Sequence, residues 1–191
     1  MTSVAYTDAN IWVTYLLEEE PKIRQVEEVI ESIENGQRKV VLSSLVVLEV
    51  LDVIRKRIIE KENAAAGERE YNRAMSEIQR NMTKFVKVTT ALSQQGKIIF
   101  SDSSRSVAEM LTETLKISNQ MVPSAVPWKY CKICNKPLMP HRTRHGGVGH
   151  YDIQHSLTAV ECNCDELIST DQWLDKLRGT PDFESLTFVI L

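Results

Sequence analysis

Ser3-Val4-Ala5-Tyr6-Thr7-Asp8-Ala9-Asn10-Ile11-Trp12 stands near the start of the chain, and Glu166-Leu167-Ile168-Ser169-Thr170-Asp171-Gln172-Trp173 near its finish. Each reads as a short apolar strand that delivers an aspartate at its carboxyl end, just where a helix begins. In open α/β sheets ligands bind at that rim. Asp8 and Asp171 are therefore expected to form two walls of one acidic site.

The stretches between them alternate in period. Lys22–Glu34 carries Ile23, Val26, Val29, Ile30 and Ile33 at helical spacing and stops at Asn35-Gly36. Lys39–Leu42 is a short β-branched strand, and Ser43-Ser44 can cap a helix from Leu45 to about Glu60. A long polar helix over Gly67–Leu92 is expected to bury Tyr71, Met75, Ile78, Met82, Phe85 and Val86. Lys97–Phe100 reads as a strand, and Asp102 as the N-cap of a helix reaching about Lys116. A helix from His150 to about Glu161 leads into the strand Glu166–Ser169, with a last strand over Leu186–Leu191. Strands alternating with helices predict an α/β fold with a parallel sheet.

The chain has 191 residues, of which 42% are hydrophobic and 26% charged, a balance that supports one sizeable core and argues against disorder. The net charge of -3 gives no global sign of nucleic-acid binding. No amino-terminal signal peptide and no apolar run of membrane-spanning length is visible. The expectation is a cytoplasmic chain with no membrane association.

Four acids occupy informative places. Asp8 and Asp171 end strands, and Asp152 falls in the first turn of the helix that starts at His150. Glu49 interrupts the run Leu45-Val46-Val47-Leu48 before Val50-Leu51, where a carboxylate is costly unless compensated. Converging carboxylates repel one another unless a cation joins them. Mg²⁺ or Mn²⁺ suits such oxygen donors, and one or two such ions can activate a water and stabilise charge on a phosphate.

Residues 119–149 break the pattern. Pro123, Pro127, Pro137 and Pro140 lie there with Gly146, Gly147 and Gly149, and hydrophobic periodicity disappears. Cys131 and Cys134 form a C-x-x-C pair, and His141 and His145 follow as H-x-x-x-H. Such donors suit a structural Zn²⁺. His150 can replace either histidine, and Cys162 with Cys164 can complete a four-cysteine set. The segment also carries Lys129, Lys132, Lys136, Arg142 and Arg144, interleaved with Trp128, Tyr130 and Tyr151. Basic and aromatic side chains together fit single-stranded nucleic acid.

Asp8-Ala9-Asn10, Ser43-Ser44-Leu45-Val46-Val47-Leu48-Glu49-Val50, Asp152 with His155 and Ala159, and Leu167-Ile168-Ser169-Thr170-Asp171 resemble, in order and spacing, the PIN-domain nucleases of archaeal type. The resemblance covers residues 1–118 and 150–191. It implies a three-layer PIN-like fold, with a mainly parallel central sheet, helices on both faces, and 119–149 as a small irregular insertion resembling a zinc knuckle. It further implies a Mg²⁺- or Mn²⁺-dependent endoribonuclease that cleaves single-stranded RNA with an attacking water. By position, Asp8, Glu49, Asp152 and Asp171 would be the catalytic, metal-binding acids. Ser169 would stand behind them, and Asn10 would orient near Asp8. The expected partners are single-stranded RNA or pre-rRNA, with an antitoxin or a ribosome-assembly factor, and a homodimer is compatible. A non-catalytic RNA-binding or assembly module of a ribosome-processing or toxin-antitoxin system is the alternative.

Overall fold

The computed structural model describes residues 2–121 and 148–191. Cys131, Cys134, His141, His145, Lys129, Lys132, Lys136, Arg142 and Arg144 lie outside the described residues, as does most of the 119–149 insertion.

Five strands form one parallel sheet: β1 (Ser3–Thr7), β2 (Arg38–Leu42), β3 (Ile98–Phe100), β4 (Glu166–Ser169) and β5 (Thr187–Ile190), in the order β3-β2-β1-β4-β5. Ala5 pairs with Val40 on one side and Glu166 on the other, so β1 is the central strand. The connecting helices are α1 (Ala9–Leu17), α2 (Ile23–Glu34), α3 (Ser44–Lys61), α4 (Glu68–Gln94), α5 (Val107–Met121) and α6 (His150–Glu161). Helices α1 to α4 pack on one another, and α5 packs on α6. Right-handed crossovers set these two groups on opposite faces of the sheet. This is the α/β three-layer arrangement expected from the sequence.

From β1 the chain steps outward to β2 and β3, and later returns to the other side of β1 as β4. The gap beyond the carboxyl ends of β1 and β4 is thus the switch point of the sheet, where such folds open a crevice. Asp8 and Asp171 stand at this gap.

The core is continuous under the sheet. Tyr6, Trp12, Leu42, Ile54, Leu167 and Ile168 are fully buried, and Trp12 meets Phe85 of α4 edge-to-face with ring centroids 5.5 Å apart. Helix α1 is anchored by its own strand, because Trp12 Nε1 donates to Thr7 Oγ1 at 3.0 Å.

Four local expectations are corrected. The inner stripe of α4 runs through Ala74, Asn81, Phe85, Thr89 and Leu92, while Tyr71, Met75 and Val86 are exposed. Small and polar residues can face inward here because Asn81 and Thr89 bond the carbonyls one turn back, at Glu77 and Phe85, each at 2.9 Å. Asp102 does not cap α5. Its Oδ1 accepts from Ser44 N at 2.6 Å, at the amino end of α3. Helix α5 is capped instead by Ser106 and Glu109, whose side chains each accept the other's backbone N–H. Helix α5 also runs past residue 118, to Met121. After Asp171 the chain makes a 3-10 turn over Gln172–Leu177 rather than an α-helix.

Candidate metal centre at the sheet switch point

Asp8 is the hub. It follows β1 directly, and its backbone N–H is held by the Ile168 carbonyl of β4 at 3.0 Å. Its side chain is only 2% exposed. A buried carboxylate costs several kcal/mol, on the order of what its hydrogen bonds must return. Two donors supply them: Ser169 Oγ at 2.6 Å and Asn10 Nδ2 at 3.2 Å, both to Oδ2. Ser169 and Asn10 thus both bond the same oxygen of Asp8.

Glu49 arrives from the second turn of α3. That helix turns Val46, Val50, Ile54 and Ile58 inward. Leu48 is 64% exposed and Leu51 also faces outward, so the helix is not apolar on all sides as expected. Glu49 is compensated by a specific partner. His155 Nε2 lies 2.7 Å from Glu49 Oε2 and 3.8 Å from Asp8 Oδ1. Asp8, Glu49 and His155 each bring one donor atom within 4.8 Å of the others.

His155 is 1% exposed on α6. Its Nδ1 lies 2.9 Å from the Tyr6 hydroxyl, which lies 2.6 Å from Ser43 Oγ. Ser43 is the N-cap of α3 and accepts Val46 N–H at 3.3 Å. Burial pushes the His155 pKa down, but the Glu49 hydrogen bond and the charges of Asp8, Glu49 and Asp152 outweigh it, and the net shift is upward. Burial raises the Tyr6 pKa strongly, so its hydroxyl keeps its proton.

Asp152 lies in the first turn of the same helix, one turn before His155. Its Oδ2 accepts Gly149 N at 2.5 Å, part of the α6 cap. Burial lifts its pKa to about 6; the Gly149 bond and His155 oppose the rise, and the charges of Asp8 and Asp171 add to it. Asp152 shares α6 with His155, and Ser169 Oγ bridges Asp8 Oδ2 and Asp171 N, so these acids flank one rim. Asp171 Oδ1 caps the 3-10 turn by accepting Trp173 N at 2.9 Å, and Asp171 N is held by Ser169 Oγ at 2.9 Å.

A common pattern emerges. Each of the four carboxylates has one oxygen engaged by a protein donor. Among the described residues, Asp8 Oδ1, Glu49 Oε1, Asp152 Oδ1 and Asp171 Oδ2 accept no hydrogen bond. Oriented carboxylates with spare oxygens, beside an acid whose pKa is raised by burial and to a lesser degree by the charges of Asp8 and Asp171, are a donor set that fits a hard divalent cation. The structure brings all four predicted acids to this region and adds His155, Tyr6 and Ser43. His155 was legible as part of a motif; its bonds to Tyr6 and Glu49, distant in sequence, carried no local signal.

No protein-family model matches the chain. No curated protein matches it either. Among solved structures, it is similar to a chain of VapBC2 from Rickettsia felis, described in a complex with a DNA fragment from their promoter, with 12% identity, a TM-score of 0.48, and 97% of this chain and 96% of that chain covered. No helix among the described residues is long and apolar enough to cross a membrane.

Proposed function

We propose that this chain is a divalent-cation-dependent endoribonuclease that hydrolyses phosphodiester bonds of single-stranded RNA. The observation that carries the reading is the set of four carboxylates around the switch point, each tied at one oxygen. Asp8, Glu49, Asp152 and Asp171 would hold Mg²⁺ or Mn²⁺, which when bound lowers the pKa of a water and offsets charge on the phosphate. Asp8 is held rigidly by Ser169 and Asn10. Asp152 and Asp171 sit at the openings of α6 and the 3-10 turn, where their backbone bonds fix their direction. Such fixed groups need little reorganisation when charge develops on a reacting phosphate.

The basic Cys/His segment would act beside this cleft. Zinc on Cys131, Cys134, His141 and His145 would order it, and its lysines and arginines would hold the RNA backbone. An antitoxin or a ribosome-assembly factor as partner, and a homodimer, belong to the same reading.

The test is cleavage of a labelled single-stranded RNA with Mg²⁺ or Mn²⁺, against the same reaction in chelator. Asp8→Asn and Asp171→Asn should each abolish cleavage and leave RNA binding in place. Cleavage retained in both variants overturns the nuclease reading. RNA binding with no cation-dependent cleavage by the native chain would favour the non-catalytic RNA-binding module.

A further inference from the structure

We propose that Tyr6 and His155 form a positioning relay for Glu49, holding its carboxylate so that Oε1 faces the cation site beside Asp8. The inference rests on the metal-site reading above and assigns a task to two residues which that reading leaves out.

The chain of contacts is continuous, buried from Ser43 to His155 and part-buried at Glu49. Ser43 Oγ, Tyr6 Oη, His155 Nδ1, His155 Nε2 and Glu49 Oε2 follow one another at 2.6, 2.9 and 2.7 Å across the three hydrogen-bonded contacts. A carboxylate only accepts, so Nε2 carries a proton and donates to Glu49. The imidazole then has no freedom to rotate, because its other nitrogen is taken by a phenol rooted in the central strand. Glu49 needs such a hold more than the other acids do. Asp8, Asp152 and Asp171 have short side chains fixed by bonds to neighbours in the backbone frame or to Ser169. Glu49 has one more rotatable bond, sits on a helix surface with its side chain about a third exposed, and takes its only side-chain hydrogen bond among the described residues from His155. Without the imidazole its carboxylate would swing into solvent.

The relay also joins layers that the sheet separates. Tyr6 belongs to β1, Ser43 and Glu49 to the α3 end of the β2 crossover, and His155 to α6. The position of Glu49 relative to Asp8 is thus set by three elements at once.

The test is a double-mutant cycle on the full chain, read as Mn²⁺ affinity by calorimetry. Tyr6→Phe removes one hydroxyl and keeps the ring. It should weaken Mn²⁺ binding about tenfold, the usual effect of losing a group that orients a metal ligand. His155→Gln, which can still offer a donor to Glu49, should lose less than His155→Leu. In a Glu49→Gln background, Tyr6→Phe should have no further effect. Equal losses in both backgrounds overturn the relay, since a residue that merely supports the fold acts independently of Glu49. Unchanged affinity in Tyr6→Phe overturns it as well. A second measurement needs no variant: ¹⁵N NMR of histidine-labelled native chain. His155 Nε2 should stay protonated when Mg²⁺ is added. Loss of that proton would make His155 a ligand rather than a positioning residue, and overturn the proposal. A native chain that binds neither Mn²⁺ nor Mg²⁺ would instead remove the metal-site reading itself, and the relay with it.

Discussion

The Ser169 hydroxyl joins the two aspartates that sit 163 positions apart in the chain (171 − 8). It donates to Asp8 Oδ2 at 2.6 Å and accepts the backbone N–H of Asp171 at 2.9 Å. Ser169 is fully buried, so no water can take its place without a rearrangement. Ser169→Ala leaves Asp8 with one donor fewer in a buried site. The expected cost is about 1–3 kcal/mol of folding stability, together with a loss of cleavage. Urea denaturation in chelator measures the first and the RNA assay the second. A loss of only a few tenths of a kcal/mol with normal cleavage would show that the hydroxyl does not hold the two acids.

Asp8, Asp152 and Asp171 could be read from the sequence because strand ends and first helical turns are marked by local pattern. The parallel sheet was legible for the same reason: each strand is a short apolar run between helical periods. The run around Glu49 suggests an apolar helix surface, but Leu48 and Leu51 face outward. What stabilises Glu49 is a histidine 106 positions later, and that histidine is held by a tyrosine 149 positions before it. Such pairings depend on the sheet order, which no local window contains. The inner face of α4 departs from the expected stripe because Ala74, Asn81 and Thr89 carry little hydrophobic signal, although geometry lets them face inward.

Asp102 provides a test of the fold independent of the site. Its carboxylate takes Ser44 N–H at the start of α3, so it adds to the Ser43 cap of a helix that carries Glu49. Asp102→Ala should lower thermal stability by about 1 kcal/mol, within the range for lost caps. If instead Asp102 capped α5, Ser106→Ala would cost nothing. The Ser106–Glu109 reciprocal bonds predict a comparable loss there. Thermal unfolding of the two single variants decides between them.

Trp173 stands two residues beyond Asp171 and extends the proposed RNA-binding reading. Its backbone N–H is bonded to Asp171, the residue is 40% exposed, and Lys176 Nζ lies 4.2 Å from the ring centroid. An exposed indole with a cation beside it offers a stacking surface for an unpaired base. Trp173→Ala should weaken single-stranded RNA binding by about 1–3 kcal/mol, and Trp173→Phe by less. Fluorescence anisotropy in the Asp8→Asn background measures this without cleavage. Equal affinity for native and Trp173→Ala chains would place the RNA path elsewhere.

The raised pKa of Asp152 makes a signed prediction for the metal-free chain. Its carboxyl titrates at about 6 in the folded state against 3.8 as the ordinary value, chiefly through burial, with Asp8 and Asp171 adding to it. Between those two values the folded state binds more protons than the unfolded state, so stability falls as pH rises. Above about 6 the loss is complete. Asp152→Asn removes the charge and keeps an oxygen that can accept Gly149 N–H. In chelator at pH 7 this variant should be more stable than the native chain by about 1–3 kcal/mol, and the gain should disappear near pH 4. His155 is shifted upward too, so its stabilising contribution is present below its ordinary value of 6.5 and is lost as pH rises through its higher folded value. That second fall is smaller in Asp152→Asn, because the Asp152 charge is one of the causes of the His155 shift. Adding Mg²⁺ should invert the order, because the native carboxylate gains a partner that the amide cannot match. Denaturation curves at pH 4, 5, 6 and 7, with chelator and with Mg²⁺, test the whole statement. A variant no more stable than the native chain at pH 7 in chelator would mean that the folded state does not disfavour the ionised Asp152 carboxyl.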